Sequence, residues 1–439
     1  MPPVDRDTIQ TVMNEAAIPG VSIASVYKKE APSTTVLEIT DAKSPASEEI
    51  TPETVFGAAS LSKPVFAYLV LKLIEKNQSE QAKPSLGKFT MPESSGLTDF
   101  DLDTPLVKII SMKKLDMDGL ILDESELPKA EKLTARMILS HMTGLPIGHN
   151  PQDGALKFQF EPNTGYGYSG IGFIYLQKVI EQLTGSNLET LAKENVFQKM
   201  PHSTFCADPS KPLETCAANS LHTTATDYAI FFQNWMNDPS PALQEAFIPQ
   251  VILTSDKMKI GEKVPEDVLK HVAWGLGVGL QLDDQGKAIS AYHSGDMNKW
   301  RAWVGINLED KSAIVYLSNS HNGHILANQI IRPTIKLDHA ANYFFKRYGF
   351  ASNLAGLRSD WQTNPSWGLA KPKIEMTTHS PQADKQQEVT LEKITQYKDK
   401  IRETKKADPD YMAPTESSEA KKREKYSPFN TTPKPPWKY

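Results

Sequence analysis

The sequence predicts an α+β fold, in which helices flank an antiparallel sheet and a helical lobe is inserted into the chain. Short β-rich runs lie near the start of the chain and again over residues 274–319. The segment between them has mainly helical periodicity. Strand-rich regions separated from a block of helices are typical of α+β proteins. With 439 residues the chain is long enough for a sizeable core.

The N-terminal part is predicted to begin with an amphipathic helix over 5–17, because apolar residues recur there at helical spacing. Residues 21–27 and 36–39 follow as a strand pair with polar turn residues between them. The segment 60–77 returns to a helical pattern, with an apolar stripe formed by Val65, Phe66, Leu69, Val70, Leu73 and Ile74.

The rest of the chain continues this alternation of helices and strands. Helical segments are predicted at 133–142, 173–185 and 223–236, and a last helix at 325–347. Four β-rich runs stand before that last helix and predict antiparallel strands: WGLGVGLQL, AISAYHS, WRAWVGIN and SAIVYLSN.

These elements divide the chain into three predicted parts. Residues 1–77 and 240–347 would form the sheet-containing lobe, and 78–239 the mostly helical lobe. The segment 348–439 is predicted to be an extension rich in proline and charge, with a possible helix at 386–404. Such an extension is a possible binding segment for a protein partner.

Composition excludes several classes of function. The net charge of −5 argues against nucleic-acid binding, which needs a clustered basic face. No apolar run reaches the length of a membrane span. The start of the chain has no basic region followed by an apolar run, so no secretory signal is expected and the compartment stays open. Cys206 and Cys216 are too few for a disulfide framework and are read as two reduced thiols, although they could close a short loop in an oxidising compartment.

The first chemical motif is S-x-x-K at Ser60 and Lys63. Residues three apart lie on one face of a helix, so the lysine amine can reach the serine oxygen. The positive end of the helix dipole favours an oxyanion at Ser60. The lysine must lose a proton to act as a base, which requires a lowered pKa. Four other serines have the same spacing to a lysine, but only Ser60 opens a long apolar helix after a strand-like run.

Two further segments can contribute to the same site. In PNTGYGYSG, a Pro/Asn/Gly-rich approach can hold the phenol of Tyr168 rigidly. A tyrosine becomes a useful proton shuttle beside a cation such as lysine. In YHSGD, residues 293–295 lie on a predicted strand. Gly295 there would let a substrate backbone approach closely, and a strand amide could complete an oxyanion hole. Each segment alone also fits a buried aromatic or an ordinary strand and turn.

In this order and spacing, the segments resemble the serine β-lactamase and penicillin-binding-protein family. The pattern is most similar to the class C β-lactamase branch, which includes D-alanyl-D-alanine carboxypeptidases, D-aminopeptidases, esterases and acyltransferases. The resemblance covers roughly residues 5–345. It rests on IPGVSIASV, TVFGAASLSKP, ILSHMTGLP, PNTGYGYSG, TTATDYAIFF, WGLGVGL, HSG and IVYLSNS. It implies a β-lactamase/transpeptidase-like fold.

The resemblance also implies roles for the matching residues. Ser60 would be the acylated nucleophile, with Lys63 and Tyr168 sharing the proton transfers. The backbone amides of Ser60 and Asp296 would form the oxyanion hole. His293 matches a position held by lysine or histidine, and would support Tyr168 electrostatically and help to hold the substrate. Gly170, Ser294, Gly295 and Arg301 complete the predicted substrate-binding set.

Three positions depart from the family pattern or stay open. The family has asparagine where this chain has Gly170, and that asparagine binds the amide carbonyl of the substrate. Its absence removes a contact of about 1 kcal/mol, which argues with His293 against an efficient β-lactamase. Arg301 could bind a substrate carboxylate or be a surface arginine. Asn163 stands where the family has glycine, and asparagine tolerates the same left-handed backbone.

The prediction is a serine hydrolase that acts through an acyl-enzyme on a small-molecule or peptide ester or amide, with weak or no β-lactamase activity. No zinc signature is present, and neither a metal nor an organic cofactor is expected. Two alternatives stay open. The acyl group could pass to an acceptor other than water, as in acyltransferases, or the fold could serve as a non-catalytic binding module.

Overall fold

The structure is a computed structural model that describes residues 5–28, 32–38, 50–81, 100–114, 121–149, 154–206, 215–260, 264–297, 300–350 and 352–354. The chain divides into two compact units. The first comprises Met1–Pro151 and Ala155–Glu375 and contains every helix and strand reported below. The second comprises Gln152–Gly154 and Met376–Tyr439, and Gly154 is its one described residue.

The described strands form one large antiparallel sheet and one short strand pair. In chain order the strands are β1 Gly20–Tyr27, β2 Ser33–Glu38, β3 Phe56–Gly57, β4 His222–Thr223, β5 Val251–Ile252, β6 Val272–Trp274, β7 Gly279–Leu282, β8 Ala288–Met297, β9 Trp300–Asn307 and β10 Ser312–Ser318. Over the described residues the large sheet has eight strands in the order β2-β1-β10-β9-β8-β7-β6-β5, and β3 pairs with β4.

The helices lie before, between and after these strands. They are α1 Arg6–Glu15, α2 Ser62–Gln81, α3 Leu127–Ala130, α4 Ala135–Leu139, α5 Ile171–Thr184, α6 Leu188–Asn195, α7 Ala225–Asn237, α8 Pro241–Gln244, α9 Glu266–Leu269, α10 Ala327–Ile330 and α11 Asp338–Tyr348. Short 3-10 turns precede α2 at Ala59–Leu61 and α10 at Gly323–Leu326. Asp5 caps α1, because its carboxylate accepts the Thr8 N–H.

The sheet combines strands from both segments of the predicted sheet-containing lobe, 1–77 and 240–347. Strand β1 pairs with β10, with Val21 opposite Ser318 and Tyr27 opposite Ser312. The runs predicted at 300–307 and 312–319 form the adjacent β9 and β10. Strand segments that are far apart in sequence thus build one antiparallel sheet with flanking helices. The predicted fold class is confirmed.

Both faces of the sheet are buried. Along β9, Trp303 packs into the core that contains α1 and α11, whereas Val304 packs into the core that contains α2, α5 and α7. Alternate side chains of a strand point to opposite faces, so this strand contributes to both cores. The first half of helix α2 is enclosed: Ala67, Tyr68 and Leu71 are buried in addition to the predicted apolar stripe, whereas Lys76 and Gln78 further along are exposed. A helix that is apolar on all sides is typical of a protein interior.

Two predicted elements differ from the structure. The run WGLGVGLQL is a hairpin rather than one strand. Its turn is closed by the Gly275 N–H donating to the Val278 carbonyl at 2.9 Å, with Gly277 at a φ of +79°. The helix predicted over 325–347 is broken between α10 and α11. Pro333 lies in the break, where it cannot donate a helical hydrogen bond.

Some predictions stay predictions. The predicted boundary between a sheet-containing lobe and a helical lobe stays a prediction, because the first compact unit contains both lobes. The extension predicted at 348–439, with its possible helix at 386–404, lies almost wholly outside the described residues. Within the described part of the chain, none of the helices combines the length and the apolar character that crossing a bilayer requires.

Candidate active site

The S-x-x-K motif brings a serine oxygen and a lysine amine into contact. Ser60 lies in the 3-10 turn that leads into α2, and Lys63 lies in the first turn of that helix. The Nζ of Lys63 donates a hydrogen bond to the Oγ of Ser60 at 3.0 Å. This is the contact that the spacing predicts. A nucleophile and a base within hydrogen-bond distance are the minimum requirement for serine activation.

A set of hydrogen bonds fixes the turn that presents Ser60. Ala59 has a φ of +49°, a left-handed conformation that costs a non-glycine residue about 1 kcal/mol or more. The hydroxyl of Ser62 donates to the Ala59 carbonyl at 2.6 Å and accepts the Leu221 N–H at 2.9 Å. The phenol of Tyr228 donates to the Leu61 carbonyl at 2.8 Å. The hydroxyl of Ser62 and the phenol of Tyr228, both on helices, therefore hold the turn that contains the strained Ala59.

Lys63 is buried without a carboxylate partner among the described residues. Its amine donates a second hydrogen bond to the Ala218 carbonyl at 2.8 Å, and it lies 4.9 Å and 5.5 Å from the ring centroids of Tyr168 and Phe173. Burial lowers the pKa of Lys63 to about 7, because the uncharged amine is favoured where water is excluded. About half of the molecules then carry a neutral amine at pH 7.

The phenol of Tyr168 reaches the same serine. The approach to it turns at Asn163, which has a φ of +65° and donates its N–H to the Met142 carbonyl at 2.8 Å. Asparagine therefore adopts the left-handed backbone that the sequence predicts for this position. Burial raises the pKa of Tyr168, and a hydrogen bond with Ser60 offsets only part of that rise. The tyrosine is a neutral phenol at physiological pH, which can donate a proton but is not itself a base.

His293 lies on β8 near these groups and is uncharged. Its ring centroid is 6.1 Å from that of Tyr168, and its Nδ1 donates to the Ser294 carbonyl at 2.8 Å. Burial and the neighbouring Lys63 lower the pKa of His293 to about 3. The electrostatic support for Tyr168 that the resemblance implies stays a prediction, and a neutral ring could supply it only as a dipole. A neutral imidazole offers Nε2 as an acceptor instead.

Strand β8 runs beside the turn that carries the nucleophile. A Cβ on Gly295 would lie 2.4 Å from the Ala58 carbonyl oxygen, so glycine permits an approach that no other residue allows. Asp296 follows Gly295 on this strand, which packs against the turn Ala59–Leu61. The strand amide that is expected to complete an oxyanion hole thus belongs to a strand that packs against the turn of Ser60. Ser294, half-buried, precedes it.

Arg301 is neither exposed nor aimed at open solvent. It stands opposite Asp296 in the β8–β9 pair, it is 3 % exposed, and its guanidinium contacts the Asp296 carboxylate at 2.7 Å. His324 lies 3.8 Å from the same carboxylate. Although burial opposes ionisation, His324 and Arg301 lower the pKa of Asp296. The alternative of a surface arginine is wrong, and the carboxylate that Arg301 binds here is one of the protein's own.

Gly170 offers no polar group to a substrate. Its N–H donates to the Ile147 carbonyl oxygen at 3.0 Å, and a Cβ at this position would lie 2.5 Å from that oxygen. The hydroxyl of Ser169 donates to the Pro146 carbonyl at 2.9 Å, so two bonds hold the loop against this corner. Gly170 is also buried, so its predicted role in substrate binding has no support in this geometry and stays a prediction. The loop itself excludes the asparagine that the family has here.

One residue beside the site was not among the predicted catalytic residues. His141 is fully buried, and its ring centroid is 4.2 Å from that of Tyr168. It belongs to the ILSHMTGLP segment, which the sequence marks only as structural. Its position in the chain carries no signal of this contact, since 27 residues separate it from Tyr168.

The described residues contain no group of three or more His, Cys, Asp or Glu side chains that could hold a metal ion. Among the histidines, His324 lies beside the Asp296 carboxylate at 3.8 Å. Cys206 and Cys216 are both thiols in this structure.

Comparison with known proteins identifies the family and the fold. The family model described as Beta-lactamase matches residues 6–331. A comparison with curated proteins found no match. The octameric penicillin-binding protein homologue from Pyrococcus abyssi is 18% identical, with a TM-score of 0.51 and coverage of 72% of this chain and 74% of that one.

Two further solved structures are similar to the same degree. The penicillin binding protein from Bacillus halodurans is 18% identical, with a TM-score of 0.50 and coverage of 71% of this chain and 95% of that one. SurE with D-Leu is also 18% identical, with a TM-score of 0.51 and coverage of 74% and 72%. At this identity the likeness shows the fold alone. The family match spans most of the sequence, from α1 to α10. The chain belongs to the Beta-lactamase family.

Proposed function

We propose that this protein is a serine hydrolase that acts through an acyl-enzyme on a small-molecule or peptide ester or amide. The observation that carries the proposal is the 3.0 Å contact between the Lys63 amine and the Ser60 oxygen, in a site that lowers the pKa of that amine to about 7. A general base works best when its pKa lies near the working pH. Lys63 therefore takes the role of base, and Ser60 that of nucleophile.

Acylation proceeds by transfer of the serine proton to the neutral amine. As the Oγ of Ser60 bonds to the substrate carbonyl carbon, Lys63 accepts the hydroxyl proton and the carbonyl electron pair moves to oxygen. The amides of Ser60 and Asp296 hold that oxyanion. When the bond to the leaving group breaks, the leaving group takes a proton from the Tyr168 phenol, and the Lys63 ammonium returns one to the phenol.

Deacylation repeats this sequence with water as the nucleophile. Water adds to the acyl carbon while its proton passes to the neutral Lys63 amine. The ester bond to Ser60 then breaks, and the Oγ regains a proton through Tyr168. Because burial raises the pKa of the Tyr168 phenol, the phenol passes on its proton only as it takes another one from Lys63.

Two features support an ester or a small amide over a β-lactam. Gly170 provides no amide to bind the substrate's carbonyl, and the Ile147 carbonyl occupies its N–H. His293 is neutral and Arg301 is bound to Asp296, so neither offers the unshared positive charge that a substrate carboxylate prefers. Ile147 is 63% exposed beside this corner, which favours an apolar acyl group.

Labelling of Ser60 tests the proposal. A fluorophosphonate probe is expected to label the wild-type protein, and Ser60→Ala is expected to abolish the label. Ser111→Ala is the matched control, because Ser111 and Lys114 have the same spacing outside the site. A panel of p-nitrophenyl esters, D-amino acid amides and a chromogenic β-lactam then ranks the substrates. Equal labelling of wild type and Ser60→Ala would refute the assignment.

A further inference from the structure

His141 holds the backbone on both sides of Tyr168. Its carbonyl oxygen accepts the N–H of Gly167 at 2.9 Å, and its ring Nδ1 accepts the N–H of Ser169 at 3.0 Å. One residue thus binds the neighbours that precede and follow the phenol. Two bonds to flanking residues fix the position and the orientation of the peptide between them.

The His141 ring also contacts the Tyr168 ring directly. The two centroids are 4.2 Å apart, with an interplanar angle of 33°. Phe173 and Trp274 lie on other sides of the imidazole, with centroids at 5.4 Å and 5.1 Å. The same residue therefore fixes the backbone on both sides of Tyr168 and contacts one face of its ring.

The chemistry of the ring suits this role. Because Nδ1 accepts a backbone N–H, the proton of the neutral imidazole lies on Nε2. That Nε2 is buried with no hydrogen-bond partner in the part of the chain that the structure describes. It lies among aromatic rings, where an N–H can point at a π face. The backbone of His141 has a φ of +57°, which histidine and asparagine adopt more readily than most residues.

We infer that His141 is a positioning residue, which sets the distance between the Tyr168 phenol and the Ser60 oxygen through its bonds to Gly167 and Ser169. The inference rests on the role of Tyr168 in the proposed function. Misplacement of a proton donor by about 1 Å can cost a factor of 100 in rate. Loss of the Nδ1 acceptor is therefore expected to lower kcat by about 10- to 100-fold, with KM changed less than threefold.

A matched pair of amides isolates the Nδ1 acceptor. The Oδ1 of asparagine stands where Nδ1 stands, whereas the oxygen of glutamine lies one bond further out. His141→Asn is expected to keep the rate of Ser60 labelling within about threefold of wild type, and His141→Gln to lose at least tenfold. In a Tyr168→Phe background the two variants are expected to label equally, because the group that they position is gone.

A second readout does not depend on activity. With 3-fluorotyrosine at position 168, the wild type and His141→Asn are expected to give one sharp fluorine resonance, and His141→Gln a broadened or divided one. If both variants fold and give the sharp wild-type signal, the inference is wrong. If labelling of Ser60 fails in the wild type but the resonances differ as expected, the proposed function falls and the positioning role stands.

Discussion

The amide N–H of Gly170 donates to the carbonyl oxygen of Ile147 at 3.0 Å. A Cβ here would approach the same oxygen to 2.5 Å. The loop around Ile147 therefore leaves no room for a side chain at position 170. The family's asparagine cannot be restored by one substitution, since the loop would have to move first.

Gly170→Asn is expected to destabilise the fold by about 1–3 kcal/mol through overpacking, and not to gain β-lactam hydrolysis. Urea unfolding and a chromogenic β-lactam measure the two effects. Gly170→Ala is the matched control, because it adds the Cβ without the amide, and it is expected to lose a similar free energy. A stable asparagine variant with new β-lactamase activity would contradict the exclusion.

The second prediction concerns the pH dependence of the reaction. Lys63 must lose its proton to act as a base, and its pKa is lowered to about 7. The kcat/KM of a neutral ester is therefore expected to rise about tenfold per pH unit below pH 7 and to level off above it. A profile from pH 4 to pH 9 checks this. A rate that stays constant over this whole range would instead be consistent with His293 as the base, because its pKa is about 3.

Lys63 also lowers the stability of the fold, in a way that depends on pH. Its folded pKa of about 7 lies below the unfolded value of 10.5, so between these values the unfolded chain binds more protons. Stability is therefore gained as pH rises. The free energy of unfolding of the wild type, relative to Lys63→Met, is expected to increase by about 2 kcal/mol from pH 7 to pH 9.

Lys72→Met on the same helix is the control for that measurement. Hydrogen bonds to Glu75 and Asp238 outweigh the opposing effect of burial and raise the pKa of Lys72, so it does not titrate in this window. The difference between wild type and Lys72→Met is expected to stay constant from pH 7 to pH 9. A constant difference for Lys63→Met as well would mean that the buried amine is charged throughout.

The fourth prediction separates two roles for Arg301. If Arg301 stabilises the Asp296 carboxylate, Arg301→Gln should lower the free energy of unfolding by about 2 kcal/mol, because a charged hydrogen bond is lost. In the Arg301→Gln background, Asp296→Asn should lower the free energy of unfolding by less than it does in the wild type. The loss in kcat/KM is expected to be equal for a neutral and an anionic ester. A larger loss for the anionic ester would show that Arg301 binds a substrate carboxylate.

The parts of the site that the sequence predicts are those set by local geometry. Ser60 and Lys63 meet because three residues make nearly one helical turn, and Asn163 takes a left-handed φ because its short polar side chain allows it. The strands at 300–307 and 312–318 are found because each is a short run rich in β-branched and aromatic residues, bounded by turn residues. Each of these follows from neighbours in the chain.

The parts that the sequence misses depend on residues brought together by the fold. The Asp296–Arg301 pair needs the register of β8 and β9, and the charge of His293 depends on burial beside Lys63. The N–H of Gly170 is unavailable to a substrate because it donates to the Ile147 carbonyl, in a loop more than 20 residues earlier. The hairpin within WGLGVGLQL is hidden because its glycines lie among apolar residues that read as one strand.

The pairing of β1 with β10 has a consequence for how this chain is made. Strand β1 leaves the ribosome early and can pair with β2, yet its other partner, β10, is not synthesised until Ser312–Ser318. At 5–20 residues per second this delay is about 15–60 s. During that time an apolar strand and the enclosed helix α2 lack the sheet that covers them. We therefore expect the nascent chain to bind chaperones, and truncations before residue 318 to aggregate rather than fold.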